Sequence, residues 1–309
     1  MPDRQVSFLL GVVLAAAWLA LSACAPLATA APPPVPDSAA VVLPSPSPLP
    51  PPAAGATPQP TPTQTPTAAP PCVETRGRVE LFRIPSQAMP KPLQFNLYLP
   101  PCFDPAAPSD YPLLVLLHGQ SSDAGQWLEL GLAETADRLI AAGQLPALLI
   151  ALPYEEYSLR DPFATGFEAA LPDELLPWLE QHYPLCRQRA CRALGGISRG
   201  GAWALHLSIT RPELFAAVGA HAAPPFYGSD LRLTRWLKDN PPASLPGLYL
   251  DVGRKDRFYR PIEEFHALLV EQGVAHEWQV NAGDHSAAYW SGQLESYLLW
   301  YGERLSVEP

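Results

Sequence analysis

Apolar and polar residues alternate with two different spacings along the last three quarters of the chain. Arg78–Ile84 and Leu93–Leu99 alternate apolar and polar residues, which is typical of half-exposed antiparallel edge strands. Continuous apolar runs follow, as in parallel strands buried on both faces. These runs are Leu113–Leu117, Ala147–Leu152, Ala193–Ile197, Phe215–Ala220 and Leu248–Val252, and a last strand is predicted at His276–Val280.

The segments between these strands have helical periodicity. Ala136 and Leu139 share one helical face, and Gly143 follows where a C-terminal glycine is expected. Further helices are predicted at Phe167–His182, Gly200–Thr210, Ile262–Gln272 and Ser291–Arg304. This alternation predicts an α/β domain over residues 72–309, with a doubly wound, mostly parallel sheet and antiparallel N-terminal strands.

The first 71 residues have a different composition. An apolar run, Val6–Leu21, follows Arg4 and ends in Leu21-Ser22-Ala23-Cys24, so residues 1–23 are predicted to be a lipoprotein signal peptide and Cys24 the lipidated residue. An ordinary signal peptide or a retained anchor helix is the alternative. Residues 26–71 contain 17 prolines and one charged side chain, so we expect residues 24–71 to be a disordered tether.

Export to the cell surface changes the interpretation of the other four cysteines, because disulfides persist in oxidising compartments. We expect the pairs Cys72–Cys102 and Cys186–Cys191, with a zinc site as the alternative. The formal net charge of −10, with only three scattered lysines, argues against a nucleic-acid partner.

The segment Gly196-Ile197-Ser198-Arg199-Gly200 lies between a buried strand and an amphipathic helix. This context is typical of the nucleophile elbow of α/β-hydrolases, where crowding at a sharp turn requires small flanking residues. A nucleophilic Ser198 needs a base, and His285 lies on a loop after the last strand, where that fold places its histidine. His221 is instead expected to contact substrate.

The acid that orients the histidine should follow the preceding strand. Asp256 lies on the loop beyond Gly253 and is favoured over Asp251 inside the strand, while Asp284 is the third candidate. The backbone amides of Arg199 and Gln120 are the expected oxyanion-hole donors, and Gly119 is expected to let the backbone approach.

Four segments together carry a family resemblance: Leu-Leu-His-Gly-Gln at 116–120, Gly-Gly-Ile-Ser-Arg-Gly-Gly at 195–201, Asp-Val-Gly-Arg-Lys-Asp at 251–256 and Gly-Asp-His at 283–285. The chain resembles, over residues 78–304, the esterase family of α/β-hydrolases that includes esterase D, feruloyl and acetylxylan esterases and the mycolyltransferases. Arg199 departs from the Met or Tyr that often follows the nucleophile there. The resemblance implies an α/β-hydrolase fold.

These residues predict an extracytoplasmic, lipid-anchored serine esterase that needs no cofactor or metal. Acyl transfer to a carbohydrate acceptor and a non-catalytic binding module at the cell surface are the alternatives. The expected partner is a small-molecule or carbohydrate-linked ester. Aromatic and histidine side chains on loops after strands are the expected substrate contacts: Trp127, Tyr154, His221, Tyr289 and Trp290.

Overall fold

A twisted sheet of eight strands organises the computed structural model, which describes residues 72–106, 111–226, 234–235, 238 and 244–305. The strands are β1 Arg78–Ile84, β2 Leu93–Leu99, β3 Leu113–Leu117, β4 Leu149–Pro153, β5 Arg192–Ile197, β6 Ala217–His221, β7 Gly247–Gly253 and β8 His276–Asn281. Their order across the sheet is β1-β2-β4-β3-β5-β6-β7-β8. The predicted signal peptide, Cys24 and the proline-rich tether lie outside the described residues.

Strand direction agrees with the predicted class. β1 pairs antiparallel with β2 and β2 antiparallel with β4, whereas every pair from β4 to β8 is parallel. The prediction of a mostly parallel sheet with antiparallel N-terminal strands is confirmed. The prediction that β2 is a half-exposed edge strand is wrong, because β2 lies between two strands and Leu93, Phe95 and Leu97 are fully buried.

Seven α-helices with both ends among the described residues lie between and after these strands. They are α1 Gln126–Glu129, α2 Leu132–Ala141, α3 Phe167–Ala170, α4 Leu176–His182, α5 Arg199–Thr210, α6 Tyr259–Glu271 and α7 Ala287–Arg304. The predicted helix over 167–182 is interrupted by a π-helical turn at Leu171–Leu175. Pro172 in that turn has no N–H to donate to the preceding helical turn, which favours the irregularity.

Alternate residues of β3 enter two separate apolar cores. Val115 packs in the core that includes Trp203 of α5, and Leu114 packs in the core that includes Tyr297 of α7. Because successive side chains of a strand point to opposite faces, the helices cover both faces of the sheet. No helix within these described ranges is long and apolar enough to cross a membrane.

The two C-terminal helices begin earlier than their apolar periodicity predicts. α7 begins at Ala287 instead of Ser291, since the Ser286 hydroxyl accepts a hydrogen bond from the Tyr289 amide, 3.4 Å away, and caps the helix. α6 begins at Tyr259 instead of Ile262. Both starts therefore adjoin the loops that carry Asp256 and His285.

The four cysteines of this region form two disulfides, and both predicted pairings are confirmed. Cys72 is bonded to Cys102, with the Cα atoms 5.7 Å apart, and Cys186 is bonded to Cys191, with the Cα atoms 5.8 Å apart. The first bond joins the start of the described region to the turn after β2. The second closes a short loop before β5.

Candidate active site

Ser198 lies at a sharp turn between β5 and α5. Its backbone has φ 53° and ψ −116°, a conformation that is costly for a residue with a side chain. The turn is crowded: a Cβ atom on Gly196 would lie 2.3 Å from the Gly200 carbonyl carbon, and one on Gly200 would lie 2.4 Å from the Leu117 carbonyl oxygen. The glycines are therefore required sterically, and they hold the serine hydroxyl at the end of the sheet.

Three side chains predicted from separate parts of the chain form one hydrogen-bonded series. The Nδ1 atom of His285 lies 2.8 Å from a carboxylate oxygen of Asp256, and its Nε2 atom lies 3.0 Å from the Ser198 hydroxyl. An ionised carboxylate can only accept, so Nδ1 carries the proton and Nε2 is left to accept from Ser198. This tautomer is the one that a base acting on a serine hydroxyl requires.

Asp256 is fixed from two sides. Its other carboxylate oxygen accepts a hydrogen bond from the Phe258 amide at 2.7 Å, and its own amide donates to the Gly253 carbonyl at 2.9 Å. The Asp256 side chain is fully buried, while the His285 side chain is 8% exposed. Asp251, the alternative acid, faces a different part of the protein, and Asp284 is exposed.

A loop after β3 faces the nucleophile. The Gly119 amide donates to the Gln126 side-chain oxygen at 2.7 Å, which leaves the Gln120 amide as the next donor along the loop. A Cβ atom on Gly119 would make only ordinary contacts with the surrounding protein, the nearest at 3.6 Å. One of these contacts is with the Ser198 Cβ atom at 3.7 Å, so the glycine keeps the space beside the nucleophile open.

The Arg199 side chain turns away from the nucleophile into an ion pair. Its guanidinium contacts both carboxylate oxygens of Glu155, at 2.8 and 2.6 Å. The Glu155 amide donates to His118 Nε2 at 2.9 Å, and His118 Nδ1 donates to the Gly119 carbonyl at 2.8 Å. Burial lowers the pKa of His118, which keeps the imidazole neutral as these bonds require.

A cavity of about 310 Å³ opens beside Ser198. Gln120 and Trp290, both predicted site residues, line it. Gly119, expected beside the oxyanion donors, also lines the cavity, and five lining residues were not predicted: Ser121, Ser122, Gln126, Arg257 and Phe258. The position of Arg257 and Phe258 directly after Asp256 is the signal in the sequence that could have indicated them. Two aromatic rings, several amide and hydroxyl groups and one cation thus surround the serine.

Four of the predicted substrate contacts do not line this cavity, and for the three of them that are buried the prediction is wrong. His221 is fully buried, and Trp127 is 1% exposed, with its indole N–H donating to the Leu117 carbonyl at 3.1 Å. Tyr289 is buried, and its hydroxyl lies 2.6 Å from Asp251. Tyr154 lines a separate surface cavity with Arg83 and Lys91. Trp127 and Tyr289 lie in helices α1 and α7, and His221 is the last residue of β6, so these three are not on loops as predicted.

His221 and Asp251 instead form a buried polar cluster with three tyrosines. Asp251 Oδ1 lies 2.7 Å from His221 Nδ1, and its Oδ2 accepts hydrogen bonds from Tyr289 at 2.6 Å and Tyr297 at 2.8 Å. His221 Nε2 lies 2.9 Å from the Tyr301 hydroxyl. Burial, together with the nearby Asp251 charge, raises the pKa of all three tyrosines. The cluster therefore ties β6 and β7 to α7 beneath the site.

The backbone connects this cluster to the nucleophile. The Ser198 amide donates to the His221 carbonyl at 2.8 Å, and the Ala222 amide donates to the Asp251 carbonyl at 2.9 Å. No group of three or more His, Cys, Asp or Glu side chains within residues 72–106, 111–226 and 244–305 is arranged to hold a metal ion.

Comparison with protein families decides the relationship of the chain. A family model described as "Putative esterase" matches residues 86–301. The chain belongs to this esterase family. Its sheet and helices have the α/β-hydrolase arrangement.

The sequence identity to individual esterases is low. The chain is 25% identical over 224 residues to an endo-1,4-beta-xylanase/feruloyl esterase of Xylanibacter ruminicola. That match covers 65% of this esterase but only 29% of the relative's length. A solved ferulic acid esterase superposes with a TM-score of 0.66 at 23% identity, covering 74% of this chain and 99% of that one.

A second structure has the same fold. A fluorophosphonate-binding serine hydrolase of Staphylococcus aureus, solved with substrate bound, superposes with a TM-score of 0.62 at 19% identity. The match covers 73% of this esterase and 98% of that chain. At this identity the likeness concerns the fold.

Proposed function

We propose that the protein is an extracytoplasmic serine esterase that hydrolyses carboxylic esters through Ser198, His285 and Asp256. The observation that carries this proposal is the continuous series from the Ser198 hydroxyl to His285 Nε2 and from His285 Nδ1 to Asp256. A serine hydroxyl is a weak nucleophile until a base accepts its proton, and this geometry supplies that base.

The proposed reaction has two halves. Ser198 Oγ attacks the ester carbonyl while His285 takes the hydroxyl proton, and the imidazolium then protonates the departing alcohol. Water, activated by the same imidazole, attacks the acyl-enzyme and releases the acid. Asp256 stabilises the imidazolium and holds its orientation, because the hydrogen bond from the Phe258 amide keeps the carboxylate in place.

The tetrahedral intermediates need donors aimed at the oxyanion. We assign this role to the backbone amides of Gln120 and Arg199, which follow β3 and the nucleophile respectively. The amide of residue 199 begins α5, so the partial positive charge at the helix N-terminus acts in the same direction. Loss of one such donor typically costs about 3–4 kcal/mol of transition-state stabilisation.

Labelling with a fluorophosphonate probe tests the nucleophile. Wild-type protein should label and hydrolyse esters, and Ser198→Ala should do neither while keeping its thermal transition, because only one hydroxyl is deleted. Ser296→Ala, which removes an exposed hydroxyl of α7, is the matched control and should behave as wild type. A folded wild-type protein that never labels would instead support a non-catalytic binding module.

The substrate class follows from an ester panel. The relatives named for feruloyl and ferulic acid esters, together with the aromatic rings of Phe258 and Trp290 in the cavity, support including feruloyl donors beside acetyl and longer acyl donors. Product analysis with and without a sugar acceptor distinguishes hydrolysis from acyl transfer. Release of free acid at the same rate in both conditions is the result expected for an esterase.

We further propose that residues 72–309 are the esterase domain of a lipoprotein, joined by residues 24–71 to a lipidated Cys24. The two disulfides support an oxidising, extracytoplasmic location. Wild-type protein should partition into the detergent phase and Cys24→Ser should not. The diacylglycerol expected on Cys24 carries two acyl chains, which suffice for stable anchoring. A mature N-terminus other than residue 24 would contradict the lipid anchor and leave the esterase proposal intact.

A further inference from the structure

Arg257 contributes a positive charge to the wall of the Ser198 cavity. It directly follows Asp256 in the chain and is exposed. The cavity wall contains no aspartate or glutamate, and the Arg257 guanidinium has neither an ion pair nor a hydrogen bond within the part of the chain that the structure describes. A cation that faces a nucleophile without a carboxylate partner is available to a ligand.

Ring contacts fix where this cation lies. The guanidinium carbon of Arg257 stacks 4.9 Å from the centre of the Phe258 ring, and that ring centre lies 4.9 Å from the centre of the His285 imidazole. The two distances together place the guanidinium within about 10 Å of the imidazole. Contact with the aromatic face restrains the guanidinium and leaves its N–H groups free to bind an anion in a bidentate manner.

The charge pattern around this residue differs from that of the whole chain. The chain has 30 acidic and 20 basic residues, whereas the segment 254–260 has four basic residues and one acidic residue, Asp256, which is buried against His285. Arg260 is paired with Glu264 on α6. An unpaired arginine at this position offsets the repulsion that an acidic protein exerts on an anionic substrate.

We infer that the preferred substrates are esters whose alcohol portion carries an anionic group such as a carboxylate, and that Arg257 determines this specificity. The inference rests on the proposed function. The alcohol side is assigned because His285 donates its proton to the departing oxygen, so the alcohol leaves beside the imidazole, where Phe258 and Arg257 also lie.

Two isosteric aryl esters test this inference. Both carry the acyl group that the enzyme turns over best in the ester panel, one with 4-hydroxybenzoate and the other with 4-hydroxybenzamide as the leaving group. The measured quantity is the ratio of kcat/KM for the anionic ester to kcat/KM for the neutral ester. Differences in intrinsic reactivity cancel when this ratio is compared between wild type and Arg257→Gln.

We expect the ratio to fall about fivefold in Arg257→Gln, the effect of losing an exposed charge pair of about 1 kcal/mol. The wild-type ratio should also fall as sodium chloride is raised, because salt screens exposed charges. Arg254→Gln is the matched control: it removes the same charge from the same loop, but Arg254 lines a neighbouring cavity with Lys255 and Asp284. Its ratio should stay closer to that of wild type.

An unchanged ratio in Arg257→Gln would overturn the inference while ester hydrolysis itself stands. An equal decrease of the ratio in Arg254→Gln and Arg257→Gln would overturn it as well. The effect would then come from the overall positive potential of the loop and not from Arg257 itself. Failure of the wild type to hydrolyse any ester of the panel would overturn the proposed function and, with it, this inference.

Discussion

Arg199 and Glu155 form a bidentate ion pair one residue beyond the nucleophile, and their side chains are only 9% and 3% exposed. Through the Glu155 amide and His118, this pair is connected to the carbonyl of Gly119, the residue before Gln120. The two residues to which we assign the oxyanion donors are thus joined by one series of polar contacts. We therefore expect the Arg199 side chain, which departs from the family pattern, to help hold these two amides in position.

Glu155→Gln should therefore lower kcat about tenfold with a smaller change in KM, because the loss of one oxyanion donor costs about 100- to 1000-fold and this variant only displaces one. The melting temperature should also fall, since Arg199 is left buried without its counter-charge. Glu156→Gln, which breaks the surface pair with Lys91, is the control. Unchanged kcat in folded Glu155→Gln would restrict the ion pair to stability.

The two aspartates of the β7 region should give opposite results when each is changed to asparagine. Asp256→Asn should reduce kcat by about 10,000-fold with a small effect on melting, because the histidine loses its orienting charge. Asp251→Asn should chiefly destabilise the fold, since Asp251 accepts bonds from His221 and two buried tyrosines. Steady-state kinetics and thermal unfolding on both variants check this, and the reverse order would reassign the acid.

Tyr297→Phe should lower the free energy of unfolding by about 2 kcal/mol, because the buried Asp251 carboxylate loses a hydrogen bond. Tyr249→Phe removes a hydroxyl from the same core, but that hydroxyl has no hydrogen-bond partner within the described residues, so its effect should be smaller. Urea unfolding measures both. Equal losses would show that the hydroxyl itself, and not the bond to Asp251, carries the effect.

His118 should make the folded state sensitive to acid. Its pKa is lowered by burial, so the unfolded chain binds a proton at a higher pH than the folded protein does. The free energy of unfolding should then decrease as pH falls below about 6.5, the ordinary histidine pKa, towards the lowered value. Unfolding measured at pH 7 and pH 5 should show a shallower decrease for His118→Gln. His182→Gln, which removes an exposed histidine of α4, controls for the loss of a titratable group.

Apolar periodicity predicts the sheet well because the burial of each strand determines the apolar pattern of that strand's own residues. The bounds of β1, β2 and β3 agree with the apolar pattern, and the glycines around Ser198 indicated the turn that the structure contains. Helix starts were less predictable, since α7 begins at a capping hydroxyl, Ser286, before its apolar face begins. The disulfide pairs followed from chain order and the oxidising compartment.

Side-chain direction at the ends of strands was not predictable in this way. His221 and Asp251 are paired across β6 and β7 and point together into the core beneath α7. A shift of one residue along a strand would have directed either side chain to the other face. Trp127 lies in helix α1 and is buried, whereas its neighbour Gln126 lines the cavity. Arg257 was not predicted because the sequence does not indicate that its guanidinium packs on the Phe258 ring at the cavity wall.

The bond between Cys72 and Cys102 determines how a mechanical pull on the N-terminal side of the domain is transmitted. Tension applied before Cys72 passes directly to Cys102 through the sulfur atoms, so residues 73–101 do not carry the load. β1, an edge strand hydrogen-bonded on one side only, belongs to that segment together with β2. A force applied through the chain before Cys72 would therefore leave the β1–β2 hairpin unstretched, because the disulfide transmits that force.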